Sequence, residues 1–229
     1  DIEEKLLNFL DQADKEEENY ENFINIINDE NILINRYDFK TILYLISKIS
    51  TNHHQLQNFY NKIEQILEKF KEEITNFFSN EEIFKIFGSN KRILLFLKEE
   101  KIFTIDHFIY KEMLTDKYKE KQYPEYFSFE IETFIEEDFK NNEKQKYEQI
   151  QTILKEDFEK FNEKRKKGRN DGYLYEIIQN DLIDEFITYV NKNNYPLNSF
   201  VEKSHFETNN FLLEQHETKL IEYAAFYGS

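Results

Sequence analysis

Apolar side chains recur every three or four positions along most of this chain, and little interrupts them. Ile2, Leu6, Leu7 and Leu10 fall on one face of a helix. Tyr20, Phe23, Ile24 and Ile27 repeat the pattern, as do Phe39, Ile42, Leu43, Ile46 and Ile49. The spacing then continues from Leu56 through Phe59, Ile63, Ile66, Phe70, Ile74 and Phe78, which predicts one long helix of about six turns. Only four Gly and two Pro occur in 229 residues, too few for a turn-rich sandwich or barrel. The expected fold class is therefore all-α, built from stacked helical hairpins. A total of 23 Phe and 15 Tyr supplies a core and excludes a disordered composition.

Start and stop signals divide the helices. Ser79-Asn80-Glu81-Glu82 is a capping-box pattern and predicts a short helix carrying Ile83, Phe84, Ile86 and Phe87. Gly88 is expected to end it with positive φ, and a second helix follows from Asn90, giving an αα-hairpin. Another helix is predicted from Ile105 to Leu114. Residues 115–127 are polar and carry Pro124, which predicts an internal break. Helices resume at 128–140 and, as one long element, at 143–166, where Tyr147, Ile150, Leu154, Phe158 and Phe161 keep the spacing. Gly168 and Asn170-Asp171-Gly172 mark a boundary. Two short helices are expected at Tyr173–Gln179 and Leu182–Val190, an extended finger or irregular loop at 197–217, and a last helix at 218–227.

Charge and composition limit the function classes. The net charge is −16, and residues 1–30 alone hold eleven acidic and two basic side chains. Such a surface repels phosphate backbones, so nucleic acid is not an expected partner. The acidic N-terminus reads as a solvated helix face, with docking of a basic partner as the sharper reading. No apolar run approaches the roughly 20 residues needed to span a bilayer. Cysteine is absent, which removes disulfides and thiolate metal sites and suits a reducing, cytoplasmic setting. The chain begins without Met and ends at Gly228-Ser229, which reads as a piece of a longer protein. The wealth of Asn, Lys, Ile and Phe is that of an AT-rich genome, so Asn-rich stretches carry no motif.

No chemistry is legible, and the expectation is a protein that is not an enzyme. His53 and His54 are adjacent and diverge by about 100° on a helix, while His107, His205 and His216 lack ligand-type partners four residues on. Acidic pairs such as Glu136-Glu137-Asp138 sit on polar faces without a predicted cleft. Gly-rich phosphate loops and nucleophile motifs are missing. No catalytic, cofactor-binding or metal-ligating residue is assigned. The basic run Lys164-Arg165-Lys166-Lys167-Gly168-Arg169 reads as ordinary helix-ending chemistry; its alternative is a nuclear-localisation patch.

The final segment, Leu220-Ile221-Glu222-Tyr223-Ala224-Ala225-Phe226-Tyr227-Gly228, resembles the first helix of an ankyrin repeat, Thr-Pro-Leu-His-x-Ala-Ala-x-x-Gly-His. Ile221 stands at the Leu, Ala224-Ala225 at the Ala pair and Gly228 at the Gly. Lys219-Leu220 replaces Thr-Pro, and Glu222 replaces His. Residues 171–198 are similar to a degenerate repeat, with a turn at Asn180-Asp181 and an exit at Tyr195-Pro196-Leu197-Asn198. With Phe206-Glu207-Thr208-Asn209 and the Asn/Lys/Phe/Ile-rich helical N-terminus, the chain resembles a protist family of ankyrin-repeat proteins with an N-terminal helical domain of unknown function.

The helix pattern is expected to give helical hairpins at 1–120 and a long-helix connector at 121–170, and the resemblance implies degenerate ankyrin-like repeats at 171–229. It implies a non-catalytic protein–protein interaction scaffold with a protein partner and no cofactor. The alternative is a helical regulatory or enzymatic domain whose site is invisible in sequence. The final helix is expected to leave Ile221, Ala224 and Ala225 partly exposed, because its partner helix is absent.

Overall fold

A computed structural model describes residues 2–11, 16–52, 59–139, 148–214 and 218–228. The described residues are mostly helical, with no β-strand among them and a single isolated antiparallel bridge between Phe200 and Lys219. The chain forms two compact units, Asp1–Thr104 and Ile105–Ser229.

The first unit contains α1 (Ile2–Asp11), α2 (Glu16–Asp29), α3 (Arg36–Asn52), α4 (Phe59–Lys69), α5 (Lys71–Phe77), α6 (Asn80–Phe87) and α7 (Lys91–Glu99). Helices α1 and α2 pack as a hairpin, and α4 contacts α1, α3 and α7. Phe39 sits in an aromatic cluster, 5.7 Å from the Phe70 ring and 5.9 Å from the Phe78 ring. Buried Lys62 donates through Nζ to the Phe9 carbonyl at 2.9 Å, so its cation meets the carbonyl end of α1.

The capping box forms as expected: the Glu82 backbone N–H donates to Ser79 Oγ and the Ser79 N–H to Glu82 Oε2. Asn90 caps α7 by accepting from the Arg92 and Ile93 backbone N–H groups. Gly88 departs from its expected role. Its φ is −64°, an ordinary helical value, and the turn closes by hydrogen bonding from its N–H to the Phe84 carbonyl.

The long helix expected through residues 56–78 is two helices, α4 and α5, separated at Phe70. Phe70 has φ −98° and ψ 15°, and its ring is buried. The three–four apolar spacing runs on through the break, so periodicity does not reveal it. Leu56 of that stretch, with His53 and His54, lies outside the described residues.

The second unit contains α8 (His107–Met113), α9 (Asp116–Lys119), α10 (Tyr123–Tyr126), α11 (Ser128–Phe139), α12 (Glu148–Ile153), α13 (Phe158–Lys167), α14 (Tyr173–Gln179), α15 (Ile183–Asn193), α16 (Asn210–Glu214) and α17 (Leu220–Tyr227). Residues 115–127, expected as a polar break, form two short helices that send an aromatic side into the core while 115–117, 119 and 120 stay exposed. Tyr118, Tyr123, Tyr126 and Phe127 are all buried. Pro124 lies in the first turn of α10, where a missing N–H costs nothing.

The long element expected at 143–166 is divided into α12 and α13. Asp157 caps α13 by accepting from the Lys160 N–H, and 143–147 lie outside the described residues. Arg165 of α13 is 1% exposed and makes a two-pronged ion pair with Glu130 of α11, both bonds at 2.8 Å. Its Nε donates to Asn162 Oδ1, and the Tyr126 hydroxyl donates to the Arg165 carbonyl. Gly168 ends α13 with φ +67°, a left-handed cap.

Candidate interaction surface

Helix α14 is held between two others. Leu174, Tyr175, Ile177 and Ile178 are buried, and α14 packs against both α15 and α17. Its entry is an Asx turn, in which the Gly172 N–H donates to Asn170 Oδ1. Asp181, with φ +53°, reverses the chain into α15.

Helix α15 is unlike its neighbours, because none of its eleven residues is buried. Phe186, Tyr189 and Val190 are half-buried, whereas Ile183 and Ile187 are 62% and 51% exposed. Ile183, Phe186 and Ile187 are spaced three and four apart and share a face. Beside it an open groove of about 160 Å³ has buried Ile177 and Ile178 among its lining, with Leu182, Ile183, Phe186 and, from α17, Ala224. Helix α17 extends the apolar surface: Ile221 is 70% exposed, Ala225 is exposed and Ala224 is half-buried.

A second, shallower depression of about 510 Å³ lies along another face of α15, lined by Tyr173, Asp184, Glu185, Thr188, Tyr189, Lys192 and Asn193. The Tyr173 and Tyr189 rings are 5.6 Å apart. Asp181, Asp184 and Glu185 are all exposed. Between Glu176 and Thr188 every charged side chain is acidic.

The segment 197–217, expected as an extended finger or irregular loop, is tied at its start to the chain that follows it and is anchored again through residues 206–209. The Val201 N–H donates to the Thr218 carbonyl at 2.8 Å, and the Leu220 N–H to the Ser199 carbonyl at 3.0 Å. Phe206, Glu207, Thr208 and Asn209 are buried. The Thr208 N–H and hydroxyl both donate to the Gly168 carbonyl, and Phe206 packs on Phe161 at 5.2 Å. Buried Glu207 accepts from the backbone N–H groups of Asn170, Thr208 and Asn209. The stretch 206–209 is thus a strap packed on α13 and its Gly168 cap, where a free finger was expected. Residues 215–217, including His216, lie outside the described residues.

This polar strap sets the local electrostatics. Burial, then the Glu207 carboxylate, pushes the Tyr223 and Tyr227 hydroxyls well above the usual tyrosine range. Burial pushes Tyr175 up to about 12. Gln179 donates to both the Asn170 carbonyl and the Tyr223 hydroxyl, linking α14 to α17. Glu222, where the ankyrin pattern has His, accepts from the Lys219 N–H at 2.8 Å and so supports the start of α17.

The basic run is not one exposed patch. Arg165 is buried, and Lys164 is paired with Asp171 at 2.9 Å. Burial works to raise the Asp171 pKa, but hydrogen bonds from Lys164 and Ser204 hold it below the usual carboxylate value. Lys164, Lys167, Arg169, Asn170, Asp171, Glu176, Gln179 and Asn180 line an open polar cleft of about 370 Å³, with no histidine, serine or threonine in its wall.

His107 lies against Tyr110 and Phe134, and His205 against Phe161 and Phe206. Among the described residues no group of three or more His, Asp or Glu is arranged to hold a metal, and no helix is long and apolar enough to cross a membrane. Compared with protein-family models, curated proteins and solved structures, the chain matches none.

Proposed function

We infer that the chain is a non-catalytic protein-interaction scaffold. In this reading α14 and α15 are the helical pair of one ankyrin-type unit, and α17 is the first helix of the next. Helix α14 lying between α15 and α17 fits such stacking. So do the backbone pairing that leads into α17 and the small Ala224-Ala225 pair on its open face.

The observation that carries the interaction role is the exposure of α15. A helix with no buried residue, whose Ile183 and Ile187 stay in solvent beside an open apolar groove, is a surface awaiting a partner. Scattered exposed apolar residues would need no such account.

The test is affinity capture with the wild-type chain against Ile183→Asp/Ile187→Asp in the same lysate. A protein retained by the wild type and lost with the variant, while both remain helical by circular dichroism, supports the scaffold role. Identical capture profiles would remove it from this surface.

A further inference from the structure

We propose that the α14–α15–α17 surface docks an amphipathic helix of another protein, one with an apolar stripe flanked by Lys and Arg. This rests on the scaffold reading and names its partner class. The groove beside Ile177 and Ile178 supplies an apolar seat open to solvent. An apolar stripe at three–four spacing is what such a groove accepts. Exposed Asp181 supplies charge in the wall of this groove, exposed Asp184 and Glu185 carry it on to another face of α15, and no basic side chain lies between Glu176 and Thr188 in the sequence.

The second face of α15 favours the same sign. The Tyr173 and Tyr189 rings stand 5.6 Å apart in a depression that also holds Asp184 and Glu185. A tyrosine pair beside carboxylates, Tyr173 exposed and Tyr189 half-buried, suits a guanidinium or ammonium, through cation–π attraction and ion pairing together. Lys192 at the far end of that depression is its one cation.

Charge also discriminates among occupants. A second copy docked on the same patch would set acidic rim against acidic rim, which costs affinity. An anionic lipid surface meets the same repulsion. A basic-flanked helix gains at the acidic contacts, with Lys192 alone opposing it.

The test uses the 229-residue chain and a labelled 18-residue peptide of Leu and Lys with Leu at helical spacing, read by fluorescence anisotropy. Controls are a twin with Glu for every Lys, and a scramble of the Leu/Lys peptide. The peptide should bind at least about tenfold more tightly than either control. Ile183→Asp/Ile187→Asp should abolish the difference. Asp181→Asn/Asp184→Asn/Glu185→Gln should weaken binding about three- to tenfold, as rim ion pairs allow.

Because the chain carries −16 overall, Glu4→Gln/Glu17→Gln/Glu21→Gln serves as the control for bulk charge and should leave binding unchanged. Equal weakening by the two charge triples would overturn the proposal as non-specific attraction. Equal or tighter binding of the Glu twin would overturn the basic partner class while leaving the scaffold reading standing. A chain that dimerises through this face, shown by sedimentation and lost in Ile183→Asp/Ile187→Asp, would assign the groove to a second copy. Where native sequence continues past residue 229, the extended chain should still take up the peptide; exclusion would assign the groove to that segment.

Discussion

The α6–α7 and α14–α15 hairpins are of similar size and read alike in sequence, yet they meet opposite fates. In α7 every residue from Lys91 to Leu97 is buried, two cations included. In α15 no residue is buried. The caps differ as well. The first hairpin has a full capping box at Ser79 and an Asn90 cap, whereas α14 and α15 begin at Gly172 and Leu182 without side-chain capping bonds. The first is a structural centre, held by its own ends and by packing on α3 and α4. The second is an edge, held mainly through α14. Amphipathic spacing says that a face exists; only the neighbouring elements decide whether it is covered.

That comparison predicts a graded series. The largest effect belongs to the interior of α7. Leu94→Ala or Leu95→Ala should lower stability by about 2–5 kcal/mol in urea unfolding, because each side chain is fully buried and leaves a cavity. A loss below about 1 kcal/mol would mean α7 is no more central than α15.

Next comes the junction beneath the second hairpin. Gly168 has φ +67°, and a Cβ there would meet Thr208 Oγ1 at 2.8 Å. Gly168→Ala should therefore cost about 1–3 kcal/mol from left-handed strain, and Thr208→Val should recover none of that backbone cost. Smaller still is the cap of α7, where Asn90→Ala should cost about 1–2 kcal/mol.

The pH response separates the hairpins in another way. Tyr175, Tyr223 and Tyr227 bracket α14 and α17, and each has a folded pKa raised above its ordinary value of about 10, by burial first. Their contribution is complete below about pH 10 and is lost as pH rises toward their folded values. Asp171 acts at the other end. Its folded pKa is lowered, so its contribution is present above about pH 4 and is lost on acidification through its folded value. Tyrosine absorbance followed with pH should show a late-titrating group, and Tyr175→Phe should reduce it.

How much of this was legible follows from the range of the forces involved. Local chemistry could be read directly: the Ser79–Glu82 box, the Asn90 cap, the Gly168 terminus and the turn at Asn170-Asp171-Gly172 each depend on residues within a few positions. The break at Phe70 was not legible, since the apolar spacing passes through it unchanged. Pro124 was read as interruption, while Tyr118, Tyr123 and Tyr126 around it fill the core.

Arg165 looked like one of the five surface cations of the basic run. Its burial depends on Glu130, 35 residues earlier, and on the Tyr126 carbonyl. The Phe206–Asn209 strap likewise depends on Gly168, forty residues away from Thr208. At the candidate surface, exposure of Ile221 and Ala225 agreed with expectation, but the exposure of α15 was not anticipated. Its apolar spacing matches that of a buried helix.

The account turns on α15 being uncovered in a folded chain. The most direct measurement is the urea unfolding free energy of Ile183→Asp/Ile187→Asp against wild type. Two carboxylates placed on an exposed face should leave stability within about 1 kcal/mol. A loss of about 3 kcal/mol or more, the size expected for charges forced into a packed interior, would show that α15 is covered and contradict the docking surface.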